Sequence, residues 1–212
     1  MFSEVLKIMP GVTALVGSGG KTTLLRVLAG ELPGTVLLCT STHILPFSGI
    51  PLLLSPTEAE LRNALARHRV ICAGTAEPGT GKLVALDLPL RGLADYVLCE
   101  ADGARMLPLK AHLPHEPVIP PDADRTILVA GLSGLGRPIR DVVHRAERFA
   151  ALCGASPDDP VTPERLCAVL RAERLSDFVF FNQTDVCPLP PVDPGVPYAA
   201  GSLRNGVISC SY

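Results

Sequence analysis

Short apolar runs rich in β-branched residues, amphipathic helical patterns between them, and polar motifs that begin where the apolar runs stop predict an α/β protein. Its sheet is expected to be mostly parallel, with helices on both faces. The apolar runs lie at residues 12–16, 35–40, 69–73, 82–86, 95–99, 126–130 and 178–181, and helical spacing occupies 22–28, 56–68, 141–152 and 163–171. Pro33-Gly34 turns the chain into the second run, Ser55 is placed to cap the helix at 56–68, and Thr162 caps the last helix with Pro163 at its first position. Ligands of parallel sheets gather at the carboxyl ends of the strands, so the polar motifs found there are the site candidates.

A chain of 212 residues buries roughly 70% of the surface its unfolded form exposes, enough for one sizeable core without disulfides or metals. A single nucleotide-binding domain over residues 1–212 is expected, with a long functional loop at about 103–125, rich in proline and histidine and without periodicity. Hydrophobic residues make up 47% and charged residues 19%, which excludes a disordered polymer. The net charge is −2, with no basic tail and no aromatic interleaving, which argues against a nucleic-acid partner but suits a mononucleotide. The seven cysteines form no Cys-x-x-Cys pair, and several sit in apolar runs such as Val97-Leu98-Cys99, as small buried hydrophobes do. Met1-Phe2-Ser3-Glu4 lacks the basic-then-apolar pattern of a leader, and no run reaches the ~20 apolar residues of a membrane span. The expectation is a cytoplasmic protein with no membrane partner.

The strongest signal is Gly17-Ser18-Gly19-Gly20-Lys21-Thr22-Thr23, between the first apolar run and the first helical pattern. A glycine loop at a helix start presents backbone N–H groups to an anion, the helix terminus adds partial positive charge, and a lysine there reaches β and γ phosphates. Thr22 stands where a loop hydroxyl coordinates Mg²⁺. These residues predict a P-loop NTPase-like fold that binds ATP or GTP with Mg²⁺, with Lys21 in a catalytic role. Leu15 occupies the place of the first glycine in the longer Gly-x-x-x-x-Gly-Lys-Ser/Thr pattern, so the spacing is also similar to the loop of Mur-type ligases.

The run 95–99 stops at Glu100-Ala101-Asp102-Gly103, two carboxylates at a strand end, where an acid that holds Mg²⁺ belongs. Both are candidate metal ligands and catalytic acids, and the spacing leaves open which is nearer the metal. The run 35–40 ends in Thr40-Ser41-Thr42-His43, where Thr40, Thr42 and His43 are candidates for contact with phosphate, the metal's water shell or a substrate. Phe178-Val179-Phe180-Phe181 leads into Asn182-Gln183-Thr184-Asp185, which resembles the Asn-Lys-x-Asp signature of GTPases with glutamine for lysine. A carboxylate at Asp185 accepts from both N1–H and the 2-amino group of guanine, and Asn182 helps hold the base and neighbouring loops.

These motifs, followed in order by Pro108-Leu109-Lys110-Ala111, His115-Glu116-Pro117-Val118-Ile119-Pro120 and Val143-His144-Arg145, make the chain similar to the YqeC family of selenium-dependent hydroxylase accessory proteins over almost its whole length. The resemblance implies a role in maturing molybdenum hydroxylases that need a labile selenium, with such a hydroxylase, or a selenium or molybdopterin compound, as partner. None of the cysteines falls within the motifs, so the residues themselves point to nucleotide chemistry.

Lys110, His112, His115 and Glu116 on the long loop are candidates for binding a second anionic substrate or moving protons, and His144 and Arg145 join them. Arg145 is suited to stabilising a transferring phosphoryl group or to an ion pair with Asp141 or Glu147. The series Gly131-Leu132-Ser133-Gly134-Leu135-Gly136 is expected to form a tight loop near the site. The leading expectation is an NTP hydrolase or phosphotransferase. Ligase-like activation of a carboxylate by ATP and a non-catalytic nucleotide-binding chaperone or cofactor carrier are the alternatives.

Overall fold

The computed structural model describes residues 1–211, with side chains described through Ser209, so Cys210 lies outside the described side chains. The chain is α/β with a largely parallel sheet flanked by helices, an architecture compatible with the P-loop NTPase-like class. It divides into two compact units that exchange the chain several times. One comprises Met1–Leu15, Thr22–Asp102 and Val118–Thr126; the other comprises Val16–Lys21, Gly103–Pro117 and the chain from Ile127 onward.

The first unit carries α1 (Phe2–Val5), β1 (Gly11–Gly17, in this unit through Leu15), α2 (Lys21–Glu31), β2 (Val36–Thr40), β3 (Leu52–Leu54), α3 (Glu58–Leu65), β4 (Val70–Ala76), β5 (Leu83–Val84) and β6 (Tyr96–Glu100). Its strands run β1-β6-β2-β4-β3, all parallel, with β5 antiparallel on β4. Strands β2 and β6 are buried along their whole length, which is why their sequences are continuous apolar runs rather than alternating ones. Val12, Leu37, Cys39, Ile71, Val97 and Cys99 form a core with Leu61 and Leu65 of α3. Register places both Leu15 of β1 and Thr40 of β2 opposite Glu100, so three strand ends lie side by side.

The cap expected at Ser55 belongs to Thr57. The Thr57 hydroxyl accepts from the Glu60 N–H at 3.3 Å, and the Glu60 carboxylate accepts from the Thr57 N–H at 2.8 Å, a reciprocal box. Ser55 is instead left-handed at φ 45°, its N–H donating to Gly74 O at 2.9 Å.

The second unit carries β7 (Leu109–Lys110), β8 (Arg125–Gly131, in this unit from Ile127), a 3₁₀ turn (Leu132–Gly134), α4 (Ile139–Val142), β9 (Val143–His144), α5 (Ala146–Cys153), α6 (Pro163–Glu173), β10 (Phe178–Asn182), β11 (Tyr198–Ser202) and β12 (Val207–Ser211). Strands β8, β10 and β11 are parallel, β12 is antiparallel to β11, and β7 and β9 make a separate parallel pair. Phe149, Phe180 and Phe181 are fully buried, and Phe181 meets Tyr198 edge-on with ring centroids 5.6 Å apart.

The single helix expected at 141–152 is broken in two. Val143-His144 pairs with Leu109-Lys110, and that ladder takes the backbone where β-branched Val143 and a histidine make helix propensity weak. Arg145 then turns the chain into α5 in the left-handed conformation, φ 71° and ψ 49°. The cap at Thr162 is as expected, accepting from the Arg165 N–H at 3.3 Å. Cys39, Cys72, Cys99 and Cys167 are free and buried, as the apolar runs around them implied. No described helix is long and apolar enough to cross a membrane.

Candidate functional site

In the second unit, the glycine loop 17–21 is held from several sides. Ser18 N–H donates to Val129 O at 2.8 Å and its buried hydroxyl to Leu107 O, while Asn182 Nδ2 donates to Gly19 O at 2.8 Å. Gly19 and Gly20 have φ of +84° and +136°, values that side-chain-bearing residues rarely adopt. A methyl on Gly19 would lie 2.5 Å from Gly131 Cα and 2.7 Å from Pro108 O, so backbone fills that space. The tight loop expected after β8 thus lies against the glycine loop. Lys21, buried at 5% exposure, donates from Nζ to Gly17 O at 2.7 Å across the loop. Lys21 is also the first residue of α2, so the N–H groups of Thr22 and Thr23 belong to an opening helical turn.

In the first unit, the Thr22 hydroxyl donates to Glu100 Oε2 at 2.8 Å. Strand β6 ends at Glu100, and Asp102 lies beyond it, buried at 1% exposure. Of the two acids, Glu100 is the one bonded to Thr22. The Thr40 hydroxyl donates to Glu100 O at 2.7 Å and accepts from Thr42 N–H at 3.0 Å, so the hydroxyl cluster braces the acidic strand end. Exposed His43 is drawn off to Glu77 at 2.9 Å. The oxygen donors at Thr22 and Glu100 suit a hard divalent cation such as Mg²⁺.

Asn182 is occupied at both ends, since its Oδ1 accepts from Leu203 N–H at 3.0 Å while Nδ2 holds Gly19. It acts as a clamp on the loop. Gln183, where GTPases carry lysine, is left-handed at φ 75° and accepts from Ser133 N–H at 3.1 Å, a role its sequence position does not suggest. Asp185 is exposed.

The second unit also gathers Lys110, Glu116, His144 and Arg145. Arg145 Nη2 lies 3.0 Å from Glu116 Oε1, and Lys110 Nζ lies 3.7 Å from the same oxygen while donating to Gly103 O at 2.7 Å. The partner of Arg145 is therefore Glu116, rather than the Asp141 of α4 or the Glu147 of α5 near it in sequence, since Arg145 stands in an αL turn between the two helices and not within one. Burial pushes the Glu116 carboxyl up, but the Arg145 hydrogen bond, the Leu113 N–H and the Lys110 charge outweigh it and bring it down to about 2. His144 is held below its ordinary value by burial and by Lys110, Arg145 and Arg105, against the opposing pull of Glu116; its Nδ1 is buried without a hydrogen-bond partner. His112 belongs to a different contact, its Nδ1 2.8 Å from Glu173 Oε2 with both side chains buried, while His115 is exposed and outside the cluster. Arg105 and Met106 carry no motif in the sequence. They are consecutive left-handed residues at φ 49° and 61°, just before the Leu107 carbonyl that Ser18 holds.

The fold and these strand ends define an α/β protein with a lysine-bearing glycine loop between strand and helix and, in its first unit, a hydroxyl bonded to a strand-end acid. The family model for YqeC protein matches residues 13–147. The chain is 36% identical over 174 residues to the uncharacterized protein YqeC of Escherichia coli (strain K12), an alignment covering 76% of this chain and 68% of that relative. The chain belongs to the YqeC family. No solved structure matches.

Proposed function

We propose that this protein binds a nucleoside triphosphate with Mg²⁺ on the loop 17–23 and hydrolyses it, or transfers its γ-phosphoryl group, during maturation of selenium-dependent molybdenum hydroxylases. The observation that carries the nucleotide reading is the 2.8 Å bond from Thr22 to Glu100, which joins the loop hydroxyl to the acid of a neighbouring strand. Thr22 and Glu100 would hold the metal, and buried Asp102, two residues on, is the second acid of the strand end. When bound, Mg²⁺ neutralises charge on the β and γ oxygens.

The protein's own part is electrostatic and positional. The N–H groups at the start of α2 face an anion in the orientation that favours it, and Lys21, already desolvated, exchanges the Gly17 carbonyl for phosphate oxygen. The Asn182 clamp holds Gly19 in place, so the loop does not have to be ordered by the ligand. The hydroxylase-maturation setting is what the resemblance of the motifs implies, and the nucleotide chemistry stands independently of it.

Calorimetric titration with Mg²⁺ plus ATP, and separately GTP, tests the reading. One of them should bind, and Lys21→Ala should abolish that binding with the circular dichroism spectrum intact. Unchanged affinity in the variant would remove the phosphate-loop assignment.

A further inference from the structure

The first unit contains a cavity of about 610 Å³ that the nucleotide reading does not use. That volume lies within the range of small-molecule sites. It begins at Thr40 and Ser41, on the end of β2, and is completed by two segments: residues 85–90, which contribute Leu86 and Leu88, and residues 118–122, which contribute Val118 and Ile119. The second segment is pinned to the strand ends, since Val118 N–H donates to Ala101 O at 2.9 Å and the Ser41 hydroxyl donates to Val118 O. Leu86 and Leu88 pack against the core cluster that contains Leu37, Cys39, Val97 and Cys99. The apolar lining therefore rests on rigid structure rather than on a free loop.

The polar side chains that line the cavity share one property. Thr40 and Ser41 have already given their hydroxyl hydrogens to Glu100 O and Val118 O, and the Thr40 oxygen also accepts from Thr42 N–H, so neither hydroxyl has a hydrogen to offer a ligand. The other two are carboxylates, Asp87 and Asp122. Asp122 Oδ2 accepts from Arg91 N–H at 2.8 Å, and the Arg91 guanidinium is engaged by Asp122 O and Asp124 Oδ1, at 3.0 and 2.6 Å. Asp87 is exposed and makes no hydrogen bond or ion pair among the described residues. A ligand here must supply the hydrogens, and an anionic one would meet two like charges.

We propose that this cavity binds the second substrate, a small organic molecule with an apolar body and a cationic or N–H-rich head of the amine or amidine class. Its place as a second-substrate site rests on the nucleotide reading, because Thr40 is both a lining residue and the hydroxyl bonded to Glu100. The ligand class rests on the cavity alone. The apolar body lies on Leu86, Leu88, Val118 and Ile119, and the head is recognised by Asp87 with Asp122 beside it.

Methyl-labelled protein titrated with benzamidine, and separately with benzoate, tests this by NMR. The two probes have nearly the same shape and opposite charge. Benzamidine should shift the Leu86, Leu88, Val118 and Ile119 methyls saturably while benzoate leaves them in place. Asp87→Asn, an exposed isosteric change, should weaken benzamidine about tenfold, as expected for one charged hydrogen bond. Lys21→Ala should lose the triphosphate and keep the benzamidine shifts. No shift with either probe, benzoate binding as well as benzamidine, or full affinity in Asp87→Asn would each overturn the proposal. Wild-type protein that binds benzamidine but no triphosphate would instead refute the nucleotide reading and leave the cavity's ligand class standing.

Discussion

The two units build their share of the strand-end chemistry differently. In the first, the polar groups follow directly from strands in register: Thr40 and Leu15 both sit opposite Glu100, and the next residues in the chain inherit that alignment. In the second, the glycine loop is held by groups far apart in sequence, Leu107, Val129 and Asn182. Backbone strain divides the same way. Lys7 and Ser55 are the left-handed non-glycine residues of the first unit, whereas Arg105, Met106, Arg145, Arg174 and Gln183 belong to the second. Such residues persist only where surrounding contacts over-determine them, and they gather at sites that bind or switch. The first unit places its groups by sheet register, the second by tertiary clamping, and substitutions should separate the two.

The largest effect is expected at the clamp. Asn182→Ala leaves the Gly19 carbonyl and Leu203 N–H without their partner, which should cost about 3 kcal/mol of stability and weaken triphosphate binding with it. Urea denaturation paired with calorimetry checks this, and a stable variant with normal binding would mean the loop holds itself.

Glu116→Gln should cost about 2 kcal/mol at neutral pH by loosening Arg145 in its αL turn. The Glu116 carboxyl stands near 2 in the folded protein against an ordinary 4.5, so its contribution is present above 4.5 and is lost as pH falls through about 2. Unfolding midpoints measured across that window should fall more steeply for wild type than for the variant; parallel curves would show that Glu116 is not the group responsible.

In the first unit, Glu100→Gln keeps the shape of the strand end. It should leave stability nearly unchanged while raising the Mg²⁺ concentration needed for triphosphate binding about tenfold, roughly 1.4 kcal/mol. A large loss of stability here would erase the proposed contrast between the units. The smallest effect belongs to exposed Asp185, whose change to alanine should lower the GTP-to-ATP affinity ratio about fivefold, roughly 1 kcal/mol. An unchanged ratio would remove it as a reader of guanine.

This contrast also explains what could be read from the sequence. Glu100, Thr40 and the glycine loop that carries Lys21 were legible because each stands at the end of an apolar run, and a parallel sheet delivers such positions to one edge. Asn182 was legible as a motif, yet its clamp on Gly19 was visible only as a general holding role. The partner of Arg145 was misplaced because charge spacing along an assumed helix pointed to Asp141 and Glu147, whereas the Leu109–Val143 ladder breaks that helix first. Gln183, Arg105 and Met106 left no signal, since nothing in a glutamine, arginine or methionine announces a left-handed backbone. The cap moved from Ser55 to Thr57 although each has a glutamate three residues on, Glu58 and Glu60; what separates them is the left-handed backbone at Ser55, which no sequence pattern announces.

The buried thiols make the protein its own unfolding clock. Burial raises Cys72 and Cys167 to about 11, and contact with Cys99 together with burial raises Cys39 as well. At neutral pH only about one molecule in ten thousand would carry a thiolate at Cys72, and that sulfur is shielded even then. Alkylation of these positions therefore waits for the chain to open. Cys72 and Cys39 lie in the first unit and Cys167 in the second, so the order in which a thiol reagent captures them records which half of the molecule opens first.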